Sequence, residues 1–384
     1  MRIAYVTSYR PGSPNGVHAA AASLAAALVG RGVYVEFWHF GRRFERIAEH
    51  EEPTGVQVVE LPLPGISPSH LTYARWMPAE TRRWILKRRT RISLVHFHSI
   101  FQPEAWFVSR ASDAPYVLSP HGGYVHFLAG GWRRWARQLP WYALERRLVA
   151  DAAFVHAVSR PDADAVRRLS PGSVVEVIPN GVDLPDAPPV PGTPGSPWLF
   201  IGRLAVADKG LDLLIDGYAE ASRHAQLPKL VIRGPDYRSG RAWLANRIRA
   251  HGLESRIEVG DAVSGAEKIA LISQCGLFIH TSRAEGLPVG PLEAMAYSRP
   301  VAITSGTNLV EAVARAGAGI VAQDHTVSAV AAALEQAAAL DMGDLNDLGV
   351  RARRLVEEEF SWSRIAARMS ARYVDAIPGA RRPS

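Results

Sequence analysis

Two doubly wound α/β domains joined by a proline-rich connection are what the sequence predicts. Short apolar runs alternate with helical patterns along nearly all of the 384 residues, the order that gives a parallel sheet with helices on both faces. That length suits two hydrophobic cores better than one. Six prolines fall between residues 185 and 197, too many for sheet interior or helix, so a stiff extended segment divides the chain. The expected domains are 1–183 and 198–359, with a linker at 184–197.

In the first half, residues 2–7 read as a buried strand and 18–30 as an alanine-rich helix closed by Gly30 and Gly32. The loop between them contains Gly12, Asn15 and Gly16, residues that tolerate left-handed backbone and close ligand approach. Strands follow at 33–39, 56–61, 93–97, 115–119, 153–157 and 173–178, with helical patterns at 79–91, 102–111, 132–150 and 160–169. The second half opens with the strand WLFIGRL, and Lys209 and Gly210 start the next helix. Strands at 229–234, 256–260 and 276–282 then alternate with helices at 241–251 and 265–273. A helix after Pro288, a strand PVAIT, a helix from SGTNLVEAV, a strand at 318–322 and two alanine-rich helices complete the half.

Composition narrows the class. Hydrophobic residues are 47% and charged residues 21%, ordinary globular values that leave no room for a disordered or fibrous chain. The single cysteine, Cys275, lies in an apolar stretch and reads as packing. MRIAYVT has no long apolar region behind it and no run of eighteen apolar residues occurs, so neither a signal peptide nor a membrane span is expected. A cytoplasmic location follows, at most peripheral to the inner face of the membrane. Lysine and arginine exceed the acidic residues by 44 − 37 = 7, for a sequence pI near 9.7. Such a surface attracts anions: nucleoside diphosphates, acidic lipid head groups or nucleic acid. No zinc-finger, helix-turn-helix or ribonucleoprotein motif supports the last.

The stretch FIHTSRAEGLPVGPLEAMAYSRP at 278–300 carries the chemistry. A buried strand runs into a loop bearing Glu285 and then into a helix bearing Glu293, eight positions on. Both carboxylates could face the crevice at the strand's carboxyl end, where open α/β sheets bind ligands. Backbone N–H groups of that loop and first helical turn suit a phosphate. The carboxylates would accept hydrogen bonds from hydroxyls flanking it, an arrangement that fits a sugar, a diphosphate and a ribose. Arg203 and Lys209 come from one strand-to-helix connection and form a clamp for a diphosphate, one as a planar fork and the other as a point charge. His121, followed by Gly122 and Gly123 at a strand edge, can donate to a phosphate or sugar hydroxyl. His96 and His98 alternate on a strand and read as supporting groups. No metal-ligand spacing is formed.

Glu285, Gly286, Leu287, Pro288 and Glu293 resemble the Glu–seven–Glu signature of glycosyltransferase family 4, retaining enzymes of the GT-B fold. PNGVD at 179–183, GRL at 202–204 and Lys209-Gly210 fit the same family, and the resemblance covers nearly the whole chain. It implies two Rossmann-like domains facing a cleft, with a final helix at 360–376 crossing back to the first. It also implies a nucleoside-diphosphate sugar, such as a UDP- or GDP-sugar, as donor and no cofactor or metal. Glu285 would then contact the donor sugar and Glu293 the ribose hydroxyls. Arg203 and Lys209 would stabilise the departing diphosphate and His121 would reach the donor. By the same analogy Gly286, Leu287, Pro288, Thr307 and Asn308 lie near sugar and phosphates, Gly234 near the base, and Asn15-Gly16 stands where the family has Gly-Gly.

The implied reaction is transfer of a hexosyl or N-acetylhexosaminyl group to a hydroxyl of a glycan, a lipid-linked glycan of the cell envelope or a small molecule. A sugar-nucleotide epimerase or hydrolase of similar fold, and a non-catalytic nucleotide- or glycan-binding protein, are the alternatives. Two segments, 81–91 and 131–147, combine arginine with tryptophan as at an anionic membrane interface, although a helix packing its tryptophan inward gives the same pattern. Pro140 would kink or divide the second.

Overall fold

The computed structural model describes residues 1–7, 16–41, 43–63, 77–129, 132–186, 193, 195–283, 285 and 287–379, with side chains left out at His126, Ala129 and 132–141. The chain forms two compact units, Met1–Gly181 with Trp362–Ser384, and Val182–Ser361.

The first unit runs β1 (Arg2–Val6), α1 (Gly16–Val29), β2 (Tyr34–Gly41), β3 (Ala48–Glu51), β4 (Gln57–Pro62), α2 (Ala79–Arg88), β5 (Leu94–His98) and α3 (Pro103–Ala111). It continues through β6 (Tyr116–Ser119), α4 (Gly123–Ala129), α5 (Trp132–Asp151), β7 (Phe154–Ala157), α6 (Arg160–Leu169) and β8 (Val175–Val177). The sheet order is β3-β4-β2-β1-β5-β6-β7-β8. All neighbours are parallel except β3 against β4. Strand β3, AEHE, escapes the sequence reading because it is a largely exposed edge with no apolar alternation. Every residue of β5 is buried, as a strand covered on both faces requires. Helix α6 starts as its sequence dictates: Ser159 caps the N–H of Asp162, Pro161 sits in the first turn, and Arg167 and Arg168 lie at the negative end of the dipole. Helix α5 runs through Pro140 as one element, not two.

The second unit comprises β9 (Trp198–Ile201), α7 (Leu211–Ala221), β10 (Leu230–Arg233), α8 (Gly240–Ala250), β11 (Ile257–Gly260), α9 (Gly265–Gln274) and β12 (Leu277–His280). Then come α10 (Val289–Ala296), β13 (Val301–Thr304), α11 (Val310–Ala316), β14 (Gly319–Ala322), α12 (Val327–Ala339) and α13 (Met342–Leu355). Its parallel sheet has the order β11-β10-β9-β12-β13-β14. Helices α7 and α12 pack together where Gly217 leaves no room for a side chain, since a Cβ would lie 2.8 Å from Val330. Cys275 is fully buried, and burial pushes its thiol up to about 12. The unit's two ends meet where the N–H of Val182 donates to the carbonyl of Phe360 at 2.8 Å.

Helix α14 (Trp362–Ala376) returns to the first unit. Ile365, Met369 and Tyr373, spaced by four, are buried against α1 and the sheet, each contributing roughly 1.5–3 kcal/mol by burial. Tyr373 also belongs to a buried chain of hydrogen bonds whose direction is fixed from one end. The carbonyl of Ile178 can only accept, so His156 donates to it from Nε2 at 2.7 Å and must accept from Ser119 at Nδ1, 2.6 Å away. The Ser119 oxygen therefore accepts from Nε2 of His96 at 2.7 Å. Nδ1 of His96 accepts from Tyr373 at 2.6 Å, whose oxygen accepts from Tyr5 at 2.8 Å. This direction holds for neutral imidazoles, the form that burial favours. Burial holds His156 down at about 4 and His96 well below its ordinary range.

These histidines bind protons more readily in the unfolded chain, so their contribution to stability is complete above pH 6.5 and declines as pH falls toward 4. Denaturant unfolding at pH 7.5 and pH 5 should show a loss on the order of 2 kcal/mol for His156. The His156→Gln variant, although weaker at both pH values, should show a correspondingly smaller difference between them.

Candidate functional site

In the second unit the chain builds outward from β9 through β10 to β11, then jumps back to place β12 on the other side of β9. The reversal lies between β9 and β12, whose pairing aligns Trp198 with Leu277 and Leu199 with Phe278. Loops leaving two such neighbours diverge and open a crevice at their carboxyl ends. Lys209 is in the loop after β9 and Glu285 in the loop after β12.

The two side chains form an ion pair, Nζ of Lys209 to Oε1 of Glu285. The same oxygen accepts from Ser282 Oγ at 2.9 Å and lies 3.2 Å from His280 Nε2. Three partners crowd Oε1, whereas Oε2 has no protein partner among the described residues. A carboxylate oxygen has about two lone-pair sites, so Oε2 is the atom left to receive a ligand hydroxyl. Burial would push this acid up, but His280 and the Lys209 charge outweigh it and hold Glu285 at about 2. It is therefore an acceptor and not a proton donor near neutrality. Burial lowers His280 in turn, and its ring stacks on Phe200 at 5.9 Å.

Close backbone contacts fix the two loops. Gly210 has φ +58, and a Cβ there would stand 2.1 Å from the carbonyl oxygen of Thr281, whose hydroxyl donates to the carbonyl of Gly210 at 2.9 Å. Arg283 forks onto Asp212 at 2.8 and 2.6 Å and donates to the carbonyl of Ala207 at 2.9 Å. From the β13–α11 side, the N–H of Glu285 donates to the carbonyl of Gly306 at 3.0 Å, and Asn308 Nδ2 donates to the carbonyl of Glu285 at 2.6 Å. Thr307 turns its hydroxyl to the carbonyl of Thr304 at 3.0 Å and is buried. Asn308 thus braces the Glu285 loop, and Thr307 holds the turn that carries Asn308.

Glu293, on α10, pairs with Lys268 of α9 at 2.6 Å and not with the Glu285 cluster. Arg203 lies over the ring of Tyr237 at 4.5 Å. Leu287 packs on the core beneath α10, and Pro288 caps that helix with φ −75. A Cβ on Gly234 would stand 1.7 Å from the carbonyl oxygen of Gly202, so packing between neighbouring loops demands this glycine. The sequence reading passed over His280, Ser282, Arg283, Asp212, Lys268 and Tyr237. The first three flank Glu285 and could have been flagged by that proximity, but the others come from separate elements and left no signal.

In the first unit the reversal lies between β1 and β5. Beside it is a cavity of about 190 Å³ lined by Thr7, Val17, His18, His98, Ser99, Gln102 and Glu104. His98 Nδ1 is 3.0 Å from His121 Nε2, and Nε2 of His98 is buried without a hydrogen-bond partner among the described residues. Burial holds His121 at about 3, so this pair too is neutral. Ser99, Phe101 and His121 have φ of 84, 53 and 50, left-handed conformations that strain non-glycine residues. Buried Glu145 holds the first turn by accepting from the N–H of Phe101 at 3.1 Å and the hydroxyl of Tyr124 at 2.5 Å. Gly16 opens α1, where an added Cβ would meet none of the described residues within 4 Å. Asn15 and Gly286 lie outside the described residues. Among those residues no group of three His, Cys, Asp or Glu side chains is placed to hold a metal.

Comparison with known proteins identifies the two halves of the chain. Residues 15–181 match the family described as Glycosyl transferase 4-like domain, and residues 197–354 that described as Glycosyl transferases group 1. The chain is 27% identical over 289 residues to the GDP-mannose:cellobiosyl-diphosphopolyprenol alpha-mannosyltransferase of Xanthomonas oryzae pv. oryzae, covering 74% of each. Its identity to the protein of the same name from Xanthomonas campestris is 25% over 335 residues, 86% of this chain and 84% of that one. Among solved structures, Anabaena HepE in complex with UDP matches with a TM-score of 0.71 at 17% identity, over 97% of this chain and 99% of that one.

The two glycines make opposite predictions for thermal unfolding. Gly234→Ala should destabilise the second unit by about 3 kcal/mol or more through the backbone clash. Gly16→Ala, at a helix start with no described neighbour within 4 Å, should be neutral or stabilising by up to about 1 kcal/mol.

Proposed function

Because the chain belongs to the family 4-type glycosyltransferases of GT-B fold, with a 4-like first half and a group 1 second half, we propose that it moves a hexosyl group from a nucleoside-diphosphate sugar to a hydroxyl of a lipid-linked glycan, with retention of anomeric configuration. The observation that carries this reading is the meeting of Lys209 and Glu285 at the β9–β12 reversal, with Oε2 of Glu285 unpartnered among the described residues.

In the resting site Lys209 neutralises Glu285. Donor binding brings a diphosphate to the loop after β9, where Lys209 and Arg203 meet the charge that grows as the glycosidic bond breaks. Glu285 takes a sugar hydroxyl through Oε2, and His280 and Ser282 keep its other oxygen in place. Glu293, steadied by Lys268, accepts from the ribose hydroxyls. The acceptor hydroxyl attacks from the face of the leaving group and its proton passes to the departing phosphate, so no enzyme base is needed. Acceptor recognition falls to the first unit, at the cavity beside His98. GDP-mannose is the first donor to try, and a glycan on a polyprenyl diphosphate the first acceptor, because the names of both Xanthomonas relatives contain them.

Turnover of a panel of GDP- and UDP-sugars with that acceptor tests the assignment. Arg203→Ala and Lys209→Ala should each lower kcat/KM by about 10²–10³-fold, and Glu285→Gln should do so comparably, with unfolding midpoints little changed. Near wild-type rates in all three variants would place the chemistry elsewhere.

A further inference from the structure

Helix α2 has one face committed to the protein and another that is not. On the committed face, Thr81 and Ile85 are buried. Trp84 meets Trp38 edge-on at 5.3 Å and donates to Glu49 at 3.2 Å. Arg88 pairs with Glu36 at 3.0 Å and with Glu49 at 2.5 Å. Of the residues that make 81–91 look like a membrane-facing segment, Trp84 and Arg88 are thus spent on internal contacts.

The other stripe, Arg82, Leu86 and Arg89, repeats at helical spacing and lines an open groove of about 610 Å³ against Trp106, Phe107 and Arg110 of α3. Leu86 is 36% exposed, and both aromatic rings are only half-buried. No acidic residue is among the described residues lining the groove. Among the described residues Arg82 and Arg110 have no carboxylate partner. Arg110 rests over the Trp106 ring at 4.3 Å, and Arg89 has one exposed pairing, with Asp113 at 3.3 Å.

Wet apolar surface beside unneutralised guanidinium groups calls for a ligand that is apolar at one end and anionic at the other. A free sugar phosphate would leave Leu86 and Phe107 wet, and an apolar peptide would leave the arginines without counter-charge. An amphiphile satisfies both: guanidinium forks hold phosphate, and a Trp ring at head-group depth is stable next to cations.

We propose that the α2–α3 groove seats an anionic phospholipid of a bilayer, its phosphate taken by Arg82, Arg89 and Arg110 and its upper acyl carbons by Leu86, Trp106 and Phe107. This surface is separate from the residues assigned to donor and acceptor, and vesicle binding reads it without any turnover.

The test is co-sedimentation of the full chain with phosphatidylcholine vesicles, with and without 30 mol% phosphatidylglycerol. Wild-type protein should bind the acidic vesicles, and more weakly as salt rises. With each arginine near the surface worth about 1 kcal/mol, Arg82→Gln/Arg110→Gln should partition roughly 30-fold more weakly. Leu86→Asp should also weaken binding, whereas the control Arg223→Gln/Arg249→Gln on the second unit should change it less than about threefold. The proposal is overturned if the groove variants bind like wild type, if the control loses as much, or if millimolar glycerol phosphate displaces the protein. Equal binding to uncharged vesicles, or binding only when a polyprenyl diphosphate is present, would overturn it as well.

Discussion

Lys209 and Glu285 meet because the strands before them, β9 and β12, are hydrogen-bonded neighbours while the chain between them is spent on the other side of the sheet. Parallel pairing sets their carboxyl ends at one edge, and the reversal in strand order makes the following loops part instead of stacking. The rest of the second unit's site serves that juxtaposition. Gly210 and Gly306 let backbones approach to distances that a Cβ would forbid, and the loop after β12 is tied to α7 through Arg283 and to the turn before α11 through Asn308. The site is held by backbone geometry first and by charge second.

Its electrostatics follow from partial burial. A carboxylate removed from water needs compensating partners, and among the described residues Glu285 obtains them on one oxygen only. The arrangement keeps the acid ionised and immobile while leaving an acceptor free, which suits recognition of a hydroxyl better than proton transfer. Glu293 is a second, independent case, stabilised by Lys268 from a different helix. The separation of the two pairs means that each acid can be engaged by a different part of one ligand.

The first unit uses neutral groups instead. Its buried chain from Tyr5 to Ile178 contains two imidazoles and no formal charge, and it ties α14 to the sheet through Tyr373. Strain is concentrated in the turns after β5 and β6, at Ser99, Phe101 and His121. Such conformations persist only where surrounding contacts over-determine them, and here Glu145 and His98 supply those contacts.

Alternating apolar runs, turn residues and the proline cluster were enough for the sequence to determine a two-domain α/β architecture, because buried parallel strands and amphipathic helices leave local patterns that need no partner to be read. Arg203, Lys209 and Glu285 drew attention in the sequence from their place in loops after strands, and Glu293 from its spacing to Glu285 within the next helix. Edge strand β3 was not, since exposed polar residues carry no period. Only the tertiary structure decided that Lys209 pairs with Glu285 while Glu293 takes Lys268, and that Gly234 answers to Gly202. It alone turned Trp84 and Arg88 of α2 inward and left Arg82, Leu86 and Arg89 outside. Those outcomes depend on which strands become neighbours and how helices rotate onto a sheet, and contacts between residues far apart in sequence have no local signature.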